Sequence, residues 1–163
     1  MSHRRRVLRK SEIKGLASEF ETFRETFEFD YRKARVEIIE NGGQLLLLDS
    51  RPILFRSEGR LVPTLFFKRY LESAPKIVVD RGAVPHVCNG ADVMAPGVRK
   101  VEGAFSKGAF VIVVDETYRK PLAVGNALVD SEMMRDTQHG PVVETLHYAG
   151  DTIYRIARSL CKL

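Results

Sequence analysis

The residues with most bearing on function lie between Val79 and Val98, in the stretch VDRGAVPHVCNGADVMAPGV. It contains Asp80, His86, Cys88 and Asp92, side-chain types that catalysis often uses. Their spacing gives no working set: no nucleophile has a base beside it, and nothing matches a metal-ligand pattern. What the stretch does offer is Gly82, Gly90 and Gly97, with Pro96, around a short apolar run. Small residues let another molecule approach the main chain closely. The chemistry implied is the presentation of backbone to a partner, not the making or breaking of bonds.

The rest of the chain agrees. It has no G-x-S-x-G, no P-loop and no H-E-x-x-H. Asp80, Asp92 and Asp115 lack evident catalytic companions, and neither His86 nor His147 has a ligand cluster around it. No enzyme activity, cofactor or metal is therefore expected. Cys88 and Cys161 are far apart, form no CxxC and read as free thiols. The 163 residues carry a net charge of +5, which suggests a polyanionic partner. The excess is uneven. Residues 1–75 hold 15 Lys and Arg against 11 Asp and Glu, whereas residues 76–163 hold 11 against 10. The longest apolar runs, Leu45 to Leu48 and Phe110 to Val114, have strand length, well short of the roughly 18 residues of a membrane helix. MSHRRRVLRK leads into no apolar signal core, so a cytoplasmic location is expected.

The elements that must position the glycine-rich segment follow from periodicity and turn signals. Ser11 reads as the N-cap of an amphipathic helix carrying Ile13, Leu16, Ala17, Phe20, Phe23 and Phe27 on one face. Residues 36–39, 45–48 and 53–55 read as strands. They are separated by Asn41-Gly42-Gly43 and by Pro52, which suggests an edge strand or a strand's first residue. Ser57-Glu58-Gly59 is a turn, and a short helix is expected from Pro63 towards Glu72. Pro75 marks a change of pattern and the expected boundary between domains 1–75 and 76–163. Beyond it, Ile77 to Val79 is a strand, and Arg81 to Asn89 a helix that Gly90 ends. Residues 109–114 and 122–129 form a hairpin around ETYRKP, and Ser131 to Arg135 a short helix. Residues 142–148 and 152–156 are two more strands, so the second half reads as a small barrel or sandwich.

Two stretches of the second half, KIVVDRGAVPHVCNGADVMAPGV and KGAFVIVVDETYRKPLAVGNALVD, resemble the PUA domain of pseudouridine synthases and archaeosine transglycosylases. PILFRSEGRLVPTL (Pro52 to Leu65) ahead of them makes the whole chain similar to the translation-associated PUA proteins. These are the MCTS/Tma type, related to the N-terminal part of ligatin, and the compact basic start suggests an archaeal-type short form. The resemblance implies an α+β protein, with an N-terminal α/β pre-PUA domain followed by a C-terminal PUA pseudo-barrel. It implies a non-enzymatic RNA-binding protein of the translation machinery, contacting tRNA or small-subunit rRNA in initiation, reinitiation or recycling. It also implies the small ribosomal subunit and a SUI1-domain protein as partners. The alternative is an RNA-binding accessory subunit of a tRNA- or rRNA-modifying enzyme.

In that family the RNA face comes from the first helix, the glycine loop and the last strand. Carried onto this sequence, the candidates are Arg81, Gly82, Ala83 and His86, then Gly90, Ala91, Val93, Met94, Ala95, Pro96 and Gly97. Glu144, His147 and Tyr148 fall near the last strand, where an aromatic can stack on an unpaired base. The helix opened by Gly82 and Ala83 would offer free N–H groups to phosphate. Each residue also has a structural role open to it: Gly90 as a helix C-cap, and Met94 and Tyr148 as packing. Arg4, Arg5, Arg6, Arg9 and Lys10 are either phosphate contacts or a solvated, flexible start.

Overall fold

The Leu45–Leu48 run lies at the centre of an antiparallel meander. In the computed structural model, which describes residues 4–26, 30–41 and 43–161, this sheet runs β1 (Arg4–Val7), β2 (Val36–Glu40), β3 (Gln44–Leu48), β4 (Arg51–Ser57) and β5 (Arg60–Pro63), each paired with the next. The four leucines of β3 are each at most 1% exposed, so the sheet is covered on both faces where they lie. Asp49 and Ser50 join β3 to β4 with φ of 49° and 67°. Left-handed backbone at both positions is what a two-residue hairpin needs to match strand twist.

Three expectations change here. β4 is an interior strand, not an edge, and Pro52 is its second residue. The register shifts opposite it, between Leu46 and Leu47, which is how a sheet accommodates a residue without an N–H. Pro63 closes β5 rather than opening a helix, and α2 covers only Lys68–Ser73. Thr64 extends the ladder, its N–H donating to the Ile53 carbonyl at 2.9 Å and its hydroxyl to the Pro52 carbonyl at 2.7 Å. The basic start is not a loose tail: Arg4–Val7 pairs in register with Glu37–Glu40.

Helix α1 spans Lys10–Glu21. Its N-cap is Arg9, with Ser11 inside the helix, because Glu12 reaches back to accept the Arg9 N–H at 2.8 Å. Phe20 and Phe23 are buried, against Tyr31 and Tyr70 at ring separations of 5.0 and 5.7 Å. Phe27 and Gly42 lie outside the described residues.

The chain divides into two compact units. One takes residues up to Glu72 together with Ile156 onward; the other is Ser73–Arg155. The second contains β6 (Lys76–Val79), α3 (Val84–Val87), β7 (Val93–Met94), β8 (Val98–Glu102), β9 (Phe110–Asp115), β10 (Pro121–Ala127), α4 (Ser131–Asp136) and β11 (Pro141–Tyr148). They form one curled sheet in the order β7-β11-β10-β9-β6-β8, antiparallel except between β6 and β9. Ile77, Val79, Val111, Val113, Ala123 and Val143 fill its interior, with Val87 and Met134 from the helices. Gly125 sits where β10 and β11 shift register. A Cβ there would collide with Val143 Cγ1 and lie 2.9 Å from the Glu144 carbonyl oxygen, so no larger residue fits. Thr152–Leu160 is helix α5, not the expected strand, and the division between units falls within it. Asp151 starts it, its Oδ1 accepting the Tyr154 N–H at 2.7 Å. Together the elements make an α+β protein whose first sheet is wholly antiparallel and whose second is a pseudo-barrel.

Candidate functional site

The glycine-rich segment builds a cleft from one continuous turn of chain. β6 ends at Val79, and Asp80 redirects the chain by accepting the Ala83 N–H on Oδ1 at 2.9 Å. α3 is a single turn. It ends in a Schellman motif, in which the Ala91 N–H reaches the His86 carbonyl and the Gly90 N–H the Val87 carbonyl, both at 3.0 Å. Gly90 carries the left-handed φ, 89°, that this motif requires. β7 then pairs with β11, Val93 opposite Val143 and Met94 opposite Pro141. Asp92 fastens the loop by accepting the Thr145 N–H at 3.0 Å, while the Thr145 hydroxyl donates to the Ala91 carbonyl at 2.9 Å. The chain closes on itself where the Asp80 N–H meets the Gly97 carbonyl at 2.9 Å. Inside lies a cleft of about 580 Å³.

Most of the expected residues meet there. Gly82, Ala83, His86, Ala91, Val93, Met94, Pro96 and Gly97 all line the cleft. Met94 is half exposed, while Val93 and Ala95 are buried at 1% and 7% and act as framework. Gly97 leaves room for Ala83: a Cβ on it would lie 3.1 Å from the Ala83 Cβ. Arg81 is exposed but does not line the cleft, and Gly90 lies away from it too, beneath Tyr148. Tyr148 packs on the core of its unit, which is the packing role left open for it. Asp80, Val87 and Asp92 line the cleft without having been expected as contacts. The signal for Asp80 was its position between a strand and a short helix, where an Asp side chain commonly accepts from the N–H groups of a turn.

Two expectations fail on geometry. His147 has no exposed surface. Its Nδ1 lies 2.8 Å from Asp151 Oδ2, which also accepts the Tyr148 N–H at 3.0 Å, so this ring holds a turn and cannot meet a ligand. Burial works against the Asp151 charge, but the His147 ring and the two backbone donors outweigh it and hold the carboxyl below its ordinary value. The second failure is the helix end. The Ala83 N–H is already taken by Asp80, and a carboxylate at that spot opposes phosphate.

The cleft's own formal charges are thus Asp80 and Asp92. Arg99 stands behind Asp80 at 4.0 Å, and its Nε is 3.4 Å from Glu116. Of the basic residues at the start of the chain, Arg5 is paired with Glu37 at 2.7 Å and Arg6 with Glu12 at 2.9 Å. The hydrogen bond from Arg5 holds the Glu37 carboxyl below its ordinary range despite its burial. Arg4, Arg9 and Lys10 are exposed.

A curled mixed sheet with this loop and cleft is matched by the family model of the PUA domain over residues 75–149, and the second unit is a domain of that RNA-binding fold. A structure described as a PUA domain from Aeropyrum pernix is 29% identical and covers 98% of this chain and 93% of its own, with a TM-score of 0.78. The uncharacterized protein MJ1432 of Methanocaldococcus jannaschii is 38% identical over 156 residues, covering 93% of this chain and 95% of that protein. Translation machinery-associated protein 20 of Eremothecium gossypii is 30% identical over 135 residues, 77% of this chain and 75% of the relative. The chain belongs to the MCTS/Tma20 family of PUA-domain proteins.

Proposed function

We propose that this protein is a non-enzymatic RNA-binding factor of the translation machinery, holding a single-stranded part of tRNA or small-subunit rRNA in the cleft of its second unit. The observation that carries this is the cleft itself, about 580 Å³ walled by small residues and backbone, within a PUA domain. The contact surface is Gly82, Ala83, His86, Ala91, Met94, Pro96 and Gly97, with Arg81 nearby. Met94 and Pro96 provide an apolar shelf for a base or sugar, and His86 a ring to stack on it. Arg4, Arg9 and Lys10 add attraction for phosphate. The name of the Eremothecium gossypii relative, translation machinery-associated protein 20, supports a role with the translation machinery; the small ribosomal subunit, a SUI1-domain companion and a cytoplasmic location follow from the family resemblance alone.

Fluorescence anisotropy with labelled tRNA and single-stranded rRNA fragments tests this. Ala91→Glu and Met94→Asp put negative charge where RNA would lie, and both side chains are exposed, so folding is spared. Each should weaken binding about tenfold or more while leaving the thermal midpoint in place. Absence of RNA binding by the unaltered protein at moderate salt would end the proposal. Co-purification with a pseudouridine synthase or transglycosylase in place of ribosomal particles would favour the accessory-subunit reading.

A further inference from the structure

Tyr118, at the tip of the β9–β10 hairpin, is 84% exposed, more than Val7, Met94 or Met133. An aromatic ring left in water forgoes the burial that is its usual contribution. The turn beneath it is nonetheless tightly built. The Asp115 carboxylate accepts the Tyr118 N–H at 2.7 Å and the Lys120 N–H at 2.6 Å, and the Arg119 N–H donates to the Asp115 carbonyl at 3.0 Å. Arg119 holds a φ of 54°, left-handed backbone that a long side chain adopts only where neighbouring contacts impose it. The ring is therefore displayed on a fixed support.

That support is attached to the cleft. The Glu116 N–H donates at 3.0 Å to the carbonyl of Val79, the residue before Asp80. Arg99 bridges Glu116 and Asp80 from β8. Tyr118 is two residues past Glu116, at most about 7 Å of chain. Arg119 and Lys120 follow it in the chain; Glu102 of β8 holds Arg119 at 3.2 Å and Lys100 at 3.5 Å, and Lys120 is exposed outside these ion pairs. An exposed ring on a fixed support, with the exposed cation of Lys120 two residues on, suits a polyanion whose bases are free to stack, rather than an apolar protein surface.

We propose that Tyr118 is a second contact of the RNA-binding surface, a stacking platform for an unpaired base beside the nucleotide in the cleft. The inference rests on the RNA reading of that cleft. The chain contains no tryptophan, so Tyr118→Trp introduces a single reporter at the position in question. Titrating this variant with single-stranded RNA carrying a dye at its far end reads binding by anisotropy and stacking by tryptophan quenching in one experiment. Saturable quenching that tracks the anisotropy is expected. Tyr118→Ala should weaken binding about tenfold by the same factor at every salt concentration, and Tyr118→Phe should restore it. Binding without quenching, or a Tyr118→Ala affinity equal to the parent's, overturns the platform and leaves the cleft reading intact. If the parent binds no RNA, both fall.

Discussion

Replacing Gly90 by alanine separates a structural role from an RNA-binding one. The residue has φ of 89°, and a Cβ on it would lie 2.9 Å from Tyr148 Cε1. Left-handed backbone costs an L-residue about 1–2 kcal/mol. Moving the Tyr148 ring off its rotamer to relieve the contact adds about 0.5–1.5 kcal/mol. Gly90→Ala should therefore destabilise the second unit by about 2–3 kcal/mol. Tyr148→Leu retains atoms out to the δ position, where Cδ1 is 3.6 Å from the added Cβ, and removes Cε1 and Cζ. In that background Gly90→Ala should cost only the backbone part, about 1–2 kcal/mol. Urea unfolding read from amide signals of β9–β11 reports this unit separately. A cost below about 0.5 kcal/mol for Gly90→Ala would refute the backbone argument, since that is the level of an inert surface change. Equal costs in the two backgrounds would refute the contact with Tyr148. A charged residue at Gly90 would be a poor test of RNA binding, because it would disturb the fold first.

Gly125→Ala should be harsher, about 3 kcal/mol or more, because Val143 and the Glu144 carbonyl are both in the way; the same unfolding experiment checks it, and a neutral result would place the β10–β11 crossing elsewhere. Asp151 gives a pH prediction. Its carboxyl is depressed, so the stability it contributes is present above its unfolded value, about 3.9, and is lost as pH falls through the lower folded value. The deficit of Asp151→Asn against the parent should thus be large at pH 7 and shrink below about pH 4. Thermal midpoints between pH 7 and 2.5 measure it, and a deficit constant across that range would exclude a depressed Asp151 carboxyl.

How far the sequence could be read depends on how local each determinant is. Runs such as Phe110–Asp115 are legible because β-branched side chains bounded by turn residues have few alternatives. Gly90 was legible as a helix end for the same reason. Thr152–Leu160 misled because Thr152 and Ile153 favour strands, although Asp151 as cap and the spacing Ile153, Ile156, Ala157, Leu160 favour a helix. His147 was out of reach. The register shift between β10 and β11 leaves Leu146 without a partner between Thr145 and His147, and a shift of one residue breaks the alternation from which facing is inferred. Tyr118 is a third case: its turn was plain, but its exposure depends on Asp115 and on what the tip fails to pack against.

The site itself was found by its glycines, and its electrostatics were not. From sequence, Gly82 and Ala83 looked like a helix end open to phosphate. α3 is one turn long, Pro85 brings no N–H to that turn, and the Asp80 carboxylate already accepts the Ala83 N–H. With Asp80 and Asp92 as its charges, the cleft cannot hold RNA by its phosphates. Carboxylate oxygens accept hydrogen bonds, and the groups on RNA that can donate to them are base amino groups and 2′-hydroxyls. The small walls and apolar shelf suit the same part of the molecule, a sugar or a base face. On the RNA reading, phosphate attraction then comes from cations outside the cleft, such as the exposed Arg81 next to Gly82 and Lys120 two residues past Tyr118. On that reading, a cleft whose charges are carboxylates favours one order for a strand: base or sugar inward, backbone outward.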